Sequence, residues 1–198
     1  MGNRRNRVRA ILLRFDVDGD IQIVSASADD AYPGVSFTRT VAMMPGGIIL
    51  DVCDLVSDSE HTYDWIYHNR GDFTTSLETR DLGGQLAEDS GYQNIQSVDV
   101  AETAHAWWAS WVDEDAGIYL HTLGETGTEV FTGAGCGNPP PLMLPMVVVR
   151  RRTNRTRYIS VLAPISAGAG QPQISLEIDD AGLAKMSSGP ITHEFHLS

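Results

Sequence analysis

The feature that most constrains the fold of this chain is its spacing. Short apolar or alternating runs are each closed by glycine, proline, asparagine or aspartate, and no helical period is sustained. Arg9 to Val17, the Asp18-Gly19 turn and Asp20 to Ser25 read as a hairpin. Ser36 to Met43 alternates, Pro45-Gly46-Gly47 interrupts it, and Ile48 to Val56 resumes as a strongly apolar strand. Thr62 to Asn69 alternates aromatic and polar positions. Leu142 to Arg152 and Arg157 to Leu162 flank the polar stretch Thr153-Asn-Arg-Thr156, which reads as the turn of a second hairpin. Ile174 to Ile178 and Ile191 to Leu197 supply two closing strands. The best helical candidate, Val98 to Ala106, has no convincing caps. Asp72 to Ser97 is polar and turn-rich and reads as a long surface excursion. With no repeat of fixed period, the pattern predicts an all-β, antiparallel β-sandwich with long loops and little helix, as a single domain over residues 1–198.

Length and charge narrow the function. At 198 residues the chain can bury one sizeable core. A formal net charge of −12 argues against a duplex nucleic acid partner, because neutralising phosphates requires a basic surface. No stretch approaches the roughly 20 apolar residues needed to span a bilayer, so no membrane partner is expected. The basic start Met1 to Arg9 leads into an apolar run too short for an export signal, and localisation stays open. One basic cluster, Arg150 to Arg157, stands out in this acidic chain; it suits either an anionic ligand or, more simply, an exposed turn. Cys53 reads as a small core hydrophobe and Cys136 as a loop residue, with nothing in their spacing that asks for a bridge.

Candidate chemistry concentrates in His61-Thr-Tyr-Asp-Trp-Ile-Tyr-His68-Asn-Arg-Gly71. His61, His68 and Tyr63 are candidate catalytic groups, since histidine beside aromatics suits acid–base work or sugar contact. Their spacing sets a limit: an odd separation on a strand places His61 and His68 on opposite faces. A second concentration is Trp107-Trp108-Ala-Ser-Trp111. On a strand Trp107 and Trp111 share a face, either as core filling or as a platform for sugar rings. Trp65, Arg70, Trp107 and Trp111 are therefore the candidate carbohydrate-binding residues. No metal site is expected in this chain. Asp16 to Asp20 lacks the glycine and closing glutamate of a calcium loop and reads as a hairpin turn.

Four stretches carry a resemblance: Tyr32-Pro-Gly-Val-Ser-Phe-Thr-Arg-Thr-Val41 with Ile48 to Ser57; Glu60 to His68; Thr128-Glu-Val-Phe-Thr-Gly133; and Pro145-Met-Val-Val-Val-Arg-Arg-Arg152 with Tyr158 to Pro164. Together they resemble the C-terminal β-sandwich of heparinase II/III-like polysaccharide lyases, alginate lyases included, most clearly over residues 22–165. The resemblance implies β-elimination of uronate polysaccharides such as alginate or glycosaminoglycans, and relatives that are often periplasmic or secreted. Full-length members add a helical toroid that supplies catalytic asparagine, histidine and tyrosine, and a divalent metal such as zinc bound by a segment this chain lacks. The chain thus resembles the distal part of the sandwich. Its expected partners are polysaccharide and a missing toroid domain or subunit, no cofactor is expected in the chain itself, and the isolated chain is not expected to cleave. The alternatives are a non-catalytic carbohydrate-binding sandwich, or a structural domain that packs on a missing partner and would show an exposed apolar patch.

Overall fold

The computed structural model describes residues 9–29, 31–168, 170–179 and 181–197; the basic start at Met1 to Val8 lies outside the described residues. The antiparallel sandwich expected from the spacing is what forms. Strands β1 (Ile11–Asp16), β2 (Gln22–Ser27) and β3 (Val35–Met44) lead through a short 3-10 turn into the long β4 (Ile48–His68). Then come β5 (Asp72–Thr75), β6 (Arg80–Asp81), β7 (Gln96–Thr103), β8 (Trp107–Asp113), β9 (Ala116–Thr122) and β10 (Thr128–Cys136). The second long strand, β11 (Met143–Ser166), is followed by a separate three-stranded sheet: β12 (Ile174–Ile178), β13 (Leu183–Ser188) and β14 (Ile191–His196).

The ribbon formed by β4 and β11 holds the two layers together. The first half of β11 pairs with the second half of β4 and with β10, which continues to β7 and β6. The second half of β11 pairs with the first half of β4 and with β9, which continues to β8 and β5. β3, β2 and β1 extend this second layer beyond β4. Each long strand therefore changes layers part-way, as corner strands of packed sheets do. The ladder is interrupted between the pairs Thr153–His61 and Arg155–Val56, so residues 57–60 of β4 face Asn154 alone. Ser57 fills the gap: its hydroxyl lies 2.8 Å from the Tyr63 hydroxyl and 3.3 Å from the carbonyl of Asn154.

Two expectations are corrected here. Thr153 to Thr156 is a bulge inside one continuous strand rather than a hairpin turn. The bulge is where the ribbon bends, and its polar residues are needed because the ladder cannot satisfy the backbone there. Val98 to Ala106 is not helical; residues 96–103 form β7, with Val98 and Val100 buried under the excursion residue Leu86. Strand β13, whose Ala184 and Met186 pack on the outside of the second layer, was not expected from the sequence.

The main core lies between the layers. Tyr63 and Trp65 of β4, Val130 of β10, and Val147 and Val149 of β11 face Trp107, Ala109 and Trp111 of β8 and Leu120 of β9. At the bend Arg151 is almost fully buried. It contacts Glu125 at 2.6 Å, donates to Thr128, Thr156 and the Arg157 carbonyl, and lies over the Tyr158 ring. The basic cluster thus divides between internal pairing and solvent, since Arg150 and Arg157 are paired to Asp64 and Asp54.

Candidate functional site

A pocket of about 360 Å³ opens beside the second half of β4, and register explains its composition. Residues directly paired in a ladder share a face. On β3 the pocket face carries Val35, Phe37, Arg39 and Val41; on β4 it carries Asp51, Cys53 and Leu55. Arg39 and Asp51 are thus single charges in otherwise apolar stripes, and they meet. Arg39 Nε donates to Asp51 Oδ1 at 2.8 Å and Nη2 to Oδ2 at 2.8 Å, while Trp65 Nε1 donates to Oδ2 at 3.1 Å. The aspartate side chain is 3% exposed, whereas the arginine is 54% exposed. Hydrogen bonding to Asp51 raises the Arg39 pKa. The result is a guanidinium fixed from behind by a buried carboxylate, with its remaining N–H groups turned toward the pocket side.

His61, Tyr63 and Trp65 reach this pocket from β4, and Tyr32, Phe37 and Tyr158 add aromatic wall. The Tyr158 hydroxyl donates to the Tyr63 carbonyl at 2.8 Å, and burial raises its pKa. The rings of His61 and Tyr63 lie 6.0 Å apart, and His61 Nε2 lies 3.3 Å from the Ser59 hydroxyl. His68 is exposed on the other face, beside Ile66, Tyr92 and Cys136. Of the expected catalytic trio, the structure therefore brings together His61 and Tyr63 and leaves His68 apart, as strand parity requires.

The expected carbohydrate-binding residues do not converge either. Trp107 and Trp111 are buried in the main core, so neither presents a ring face to a glycan. Trp111 donates its indole N–H to the Pro145 carbonyl, and core filling is the role its burial supports. Trp65 is buried with its indole committed to Asp51, and it stacks on Tyr67. Arg70 is exposed elsewhere, beside Asp113 and the Pro139 to Pro141 loop. Arg39, Asp51 and Tyr32 were missed as site residues. A charge interrupting each of two apolar stripes was the available signal, and only the ladder register shows that the two charges meet.

Comparison with known proteins places the chain. Its residues 1–159 match the family described as heparinase II/III-like, C-terminal. The chain belongs to that family. Among curated proteins, an alginate lyase of Stenotrophomonas maltophilia (strain K279a) is 36% identical over 102 residues, covering 46% of this chain and 14% of that protein. Among solved structures, the heparan sulfate lyase HepC of Pedobacter heparinus superposes with a TM-score of 0.66 at 10% identity. A heparinase III, the BT4657 gene product, gives 0.64 at 14% identity. Both matches cover 94% of this chain and 27% of the solved chain, so the heparinase II/III-like region described here corresponds to about a quarter of those lyases. At such identities the solved structures establish the fold alone.

The family resemblance also implies a divalent metal in full-length members. Among the described residues no group of three or more His, Cys, Asp or Glu side chains is placed to hold a metal ion. His61 has Ser59, Tyr63 and Thr62 as neighbours at the pocket, which do not amount to a ligand set for zinc. No chemical step is therefore routed through a metal in this chain.

Proposed function

We propose that this chain is the distal sandwich module of a uronate-polysaccharide lyase, contributing glycan contacts to β-elimination and not cleaving on its own. The observation that carries this reading is the half-exposed Arg39, clamped by buried Asp51 at the edge of an aromatic-walled pocket. A fixed guanidinium suits a uronate carboxylate or a sulfate, and aromatic faces suit the apolar faces of sugar rings. β-Elimination requires a base for the proton alpha to the carboxyl and a cation or donor for the developing enediolate. In this pocket Tyr63 is engaged with Ser57 and Arg39 with Asp51, so the chain's own groups bind and orient rather than form a complete acid–base pair.

The test has two arms. Incubation of the isolated chain with alginate or heparan sulfate should give no rise in the ultraviolet absorbance of unsaturated uronate. Titration with acidic oligosaccharides, followed by calorimetry, should show binding that Arg39→Gln weakens at least about tenfold while neutral oligosaccharides do not bind. Robust cleavage, or acidic-glycan binding indifferent to Arg39→Gln, would overturn the proposal. A structural, docking role is favoured by a separate observation, the exposed apolar patch on β1.

A further inference from the structure

The strand that buries Trp107 and Trp111 turns Trp108 the other way. Trp107 and Trp111 of β8 pair with Thr122 and Ile118 of β9 on the core face. Trp108 and Ser110 pair with His121 and Tyr119, and parity places all four on the outer face. The Trp108–His121 row continues to Val161 of β11 and Leu50 of β4. Leu176, Ala184 and Met186 of the C-terminal sheet form one buried cluster with Leu50 and Val161. Past Val161 the row emerges: His121 and Trp108 are both half-buried. The Trp108 indole stacks on the Tyr119 ring with centroids 5.8 Å apart, and Tyr119 is 4% exposed.

Hydrogen bonding sets this cluster apart. Ser110 and Thr74 satisfy each other at 2.8 Å, and Trp108 bonds through its backbone alone, to the Ser76 and Thr75 hydroxyls. Among the described residues the Trp108 indole N–H, the Tyr119 hydroxyl and the His121 ring have no partner; burial alone raises the Tyr119 pKa and lowers that of His121. At neutral pH the phenol therefore keeps its proton, and the imidazole is uncharged with one N–H to donate. These atoms reach the surface, since the Trp107 indole nitrogen is the one side-chain polar atom among the described residues that is both enclosed and unpartnered. Three donors thus lie around an aromatic stack, and no carboxylate of the chain accepts from them. An indole face suits the C–H face of a pyranose, and donors without an acceptor suit a carboxylate; a uronate residue offers both. We propose that Trp108, Tyr119 and His121 form a second binding site for uronate residues of the polysaccharide, on the face opposite the Arg39 pocket. Two contacts on one chain favour long polymers over short ones by effective concentration, without any new chemistry at the point of cleavage. The choice of uronate rests on the function proposed above; the cluster itself rests on register and unpartnered donors.

The probe is an alginate hexasaccharide, titrated by NMR into the 198-residue chain carrying Arg39→Gln so that the pocket is weakened. Saturable shifts are expected at the Trp108 indole N–H and along β8 and β9. In the same background Trp108→Leu should weaken this binding at least about tenfold, with the Trp111 indole N–H unmoved as the sign of an intact core. Tyr119→Phe, which removes a single hydroxyl, should weaken it about threefold and decides the matter if Trp108→Leu disturbs the core. Absence of shifts at Trp108, or affinity unchanged in both variants, would overturn the proposal. Cellohexaose shifting the same resonances at equal concentration would also overturn it, by naming a neutral glycan as the ligand. Arg39-dependent binding in the unsubstituted chain without shifts at Trp108 would leave the function proposed above standing and remove the outer site. Shifts at Trp108 without Arg39-dependent binding would do the reverse.

Discussion

Arg150–Asp64 and Arg39–Asp51 are both two-pronged arginine–aspartate pairs with contacts of 2.7 to 2.8 Å, and they differ in what surrounds them. Arg150 and Asp64 are both about 10% exposed, because the excursion lays Tyr92 over the pair and Phe131 flanks it. The Tyr92 hydroxyl donates to the same carboxylate. Asp51 is as well buried, but its arginine stands at the boundary where the opposing layer ends. One pair is closed on all sides and fastens a loop to a sheet. The other has a buried half that orients an available half. Identical geometry can thus serve as a fastening or as a presented charge, and cover distinguishes the two.

The largest effect that would test this contrast is on the closed pair. Arg150→Ala leaves Asp64 buried with only Tyr92 to satisfy it, and should cost about 3–5 kcal/mol in urea unfolding. A cost below about 1 kcal/mol would mean the pair is not closed. Asp51→Ala should cost less, about 1–3 kcal/mol, since Arg39 can return to water and the main loss is the Trp65 indole's partner. If Asp51→Ala proves the more damaging, the contrast is reversed.

Alkaline pH tests both regions together. Burial, with repulsion from Asp51, pushes the Cys53 thiol up to about 12; burial and the Asp64 contact push the Tyr92 phenol up to about 12. Both groups keep their protons more tightly in the folded state than in the unfolded chain, where thiols and phenols titrate near 9 and 10. Their contribution is therefore complete below about pH 9 and is lost as pH rises toward about 12. Denaturation midpoints measured from pH 8 to 11 should fall; a flat profile would contradict the assignment. The smallest effect is a labelling ratio. Cys136 is exposed and Cys53 buried, so one thiol per chain should react in native buffer and two in denaturant. Two native thiols would mean the face beside Arg39 is more open than the structure shows.

Much of the fold was legible because strands announce themselves by alternation. The hairpin of β1 and β2, the break at Pro45 and two of the closing strands follow from local pattern, whereas the expected excursion at Asp72 to Ser97 contains β5 and β6, which pair with β8 and β7. What local pattern could not show was that two apparent strands on either side of Thr153 are one, because a bulge and a turn use the same polar residues. Parity correctly separated His61 from His68, yet it could not say that Trp107 and Trp111 face inward, since a shared face has no sign until a partner sheet is placed against it. Arg39 and Asp51 lie twelve residues apart on different strands, and their pairing depends on a register that no single segment encodes.

The bulge at Asn154 has one further consequence. Before it, the odd-numbered residues of β11, Val147, Val149 and Arg151, point to the main core side. After it, the even-numbered Tyr158 does so, while Val161 turns outward beneath the C-terminal sheet. The strand carries two reading phases joined at a single residue. Removing Asn154 would merge them into one uninterrupted alternation with Tyr158 still inward and Val161 still outward, because the extra residue is what separates the two phases. Within either paired half of this strand a length change of one exchanges inside and outside, whereas at Asn154 it leaves both halves facing as they do, so the bulge separates permissible from ruinous insertions by place and not by the identity of the residue inserted.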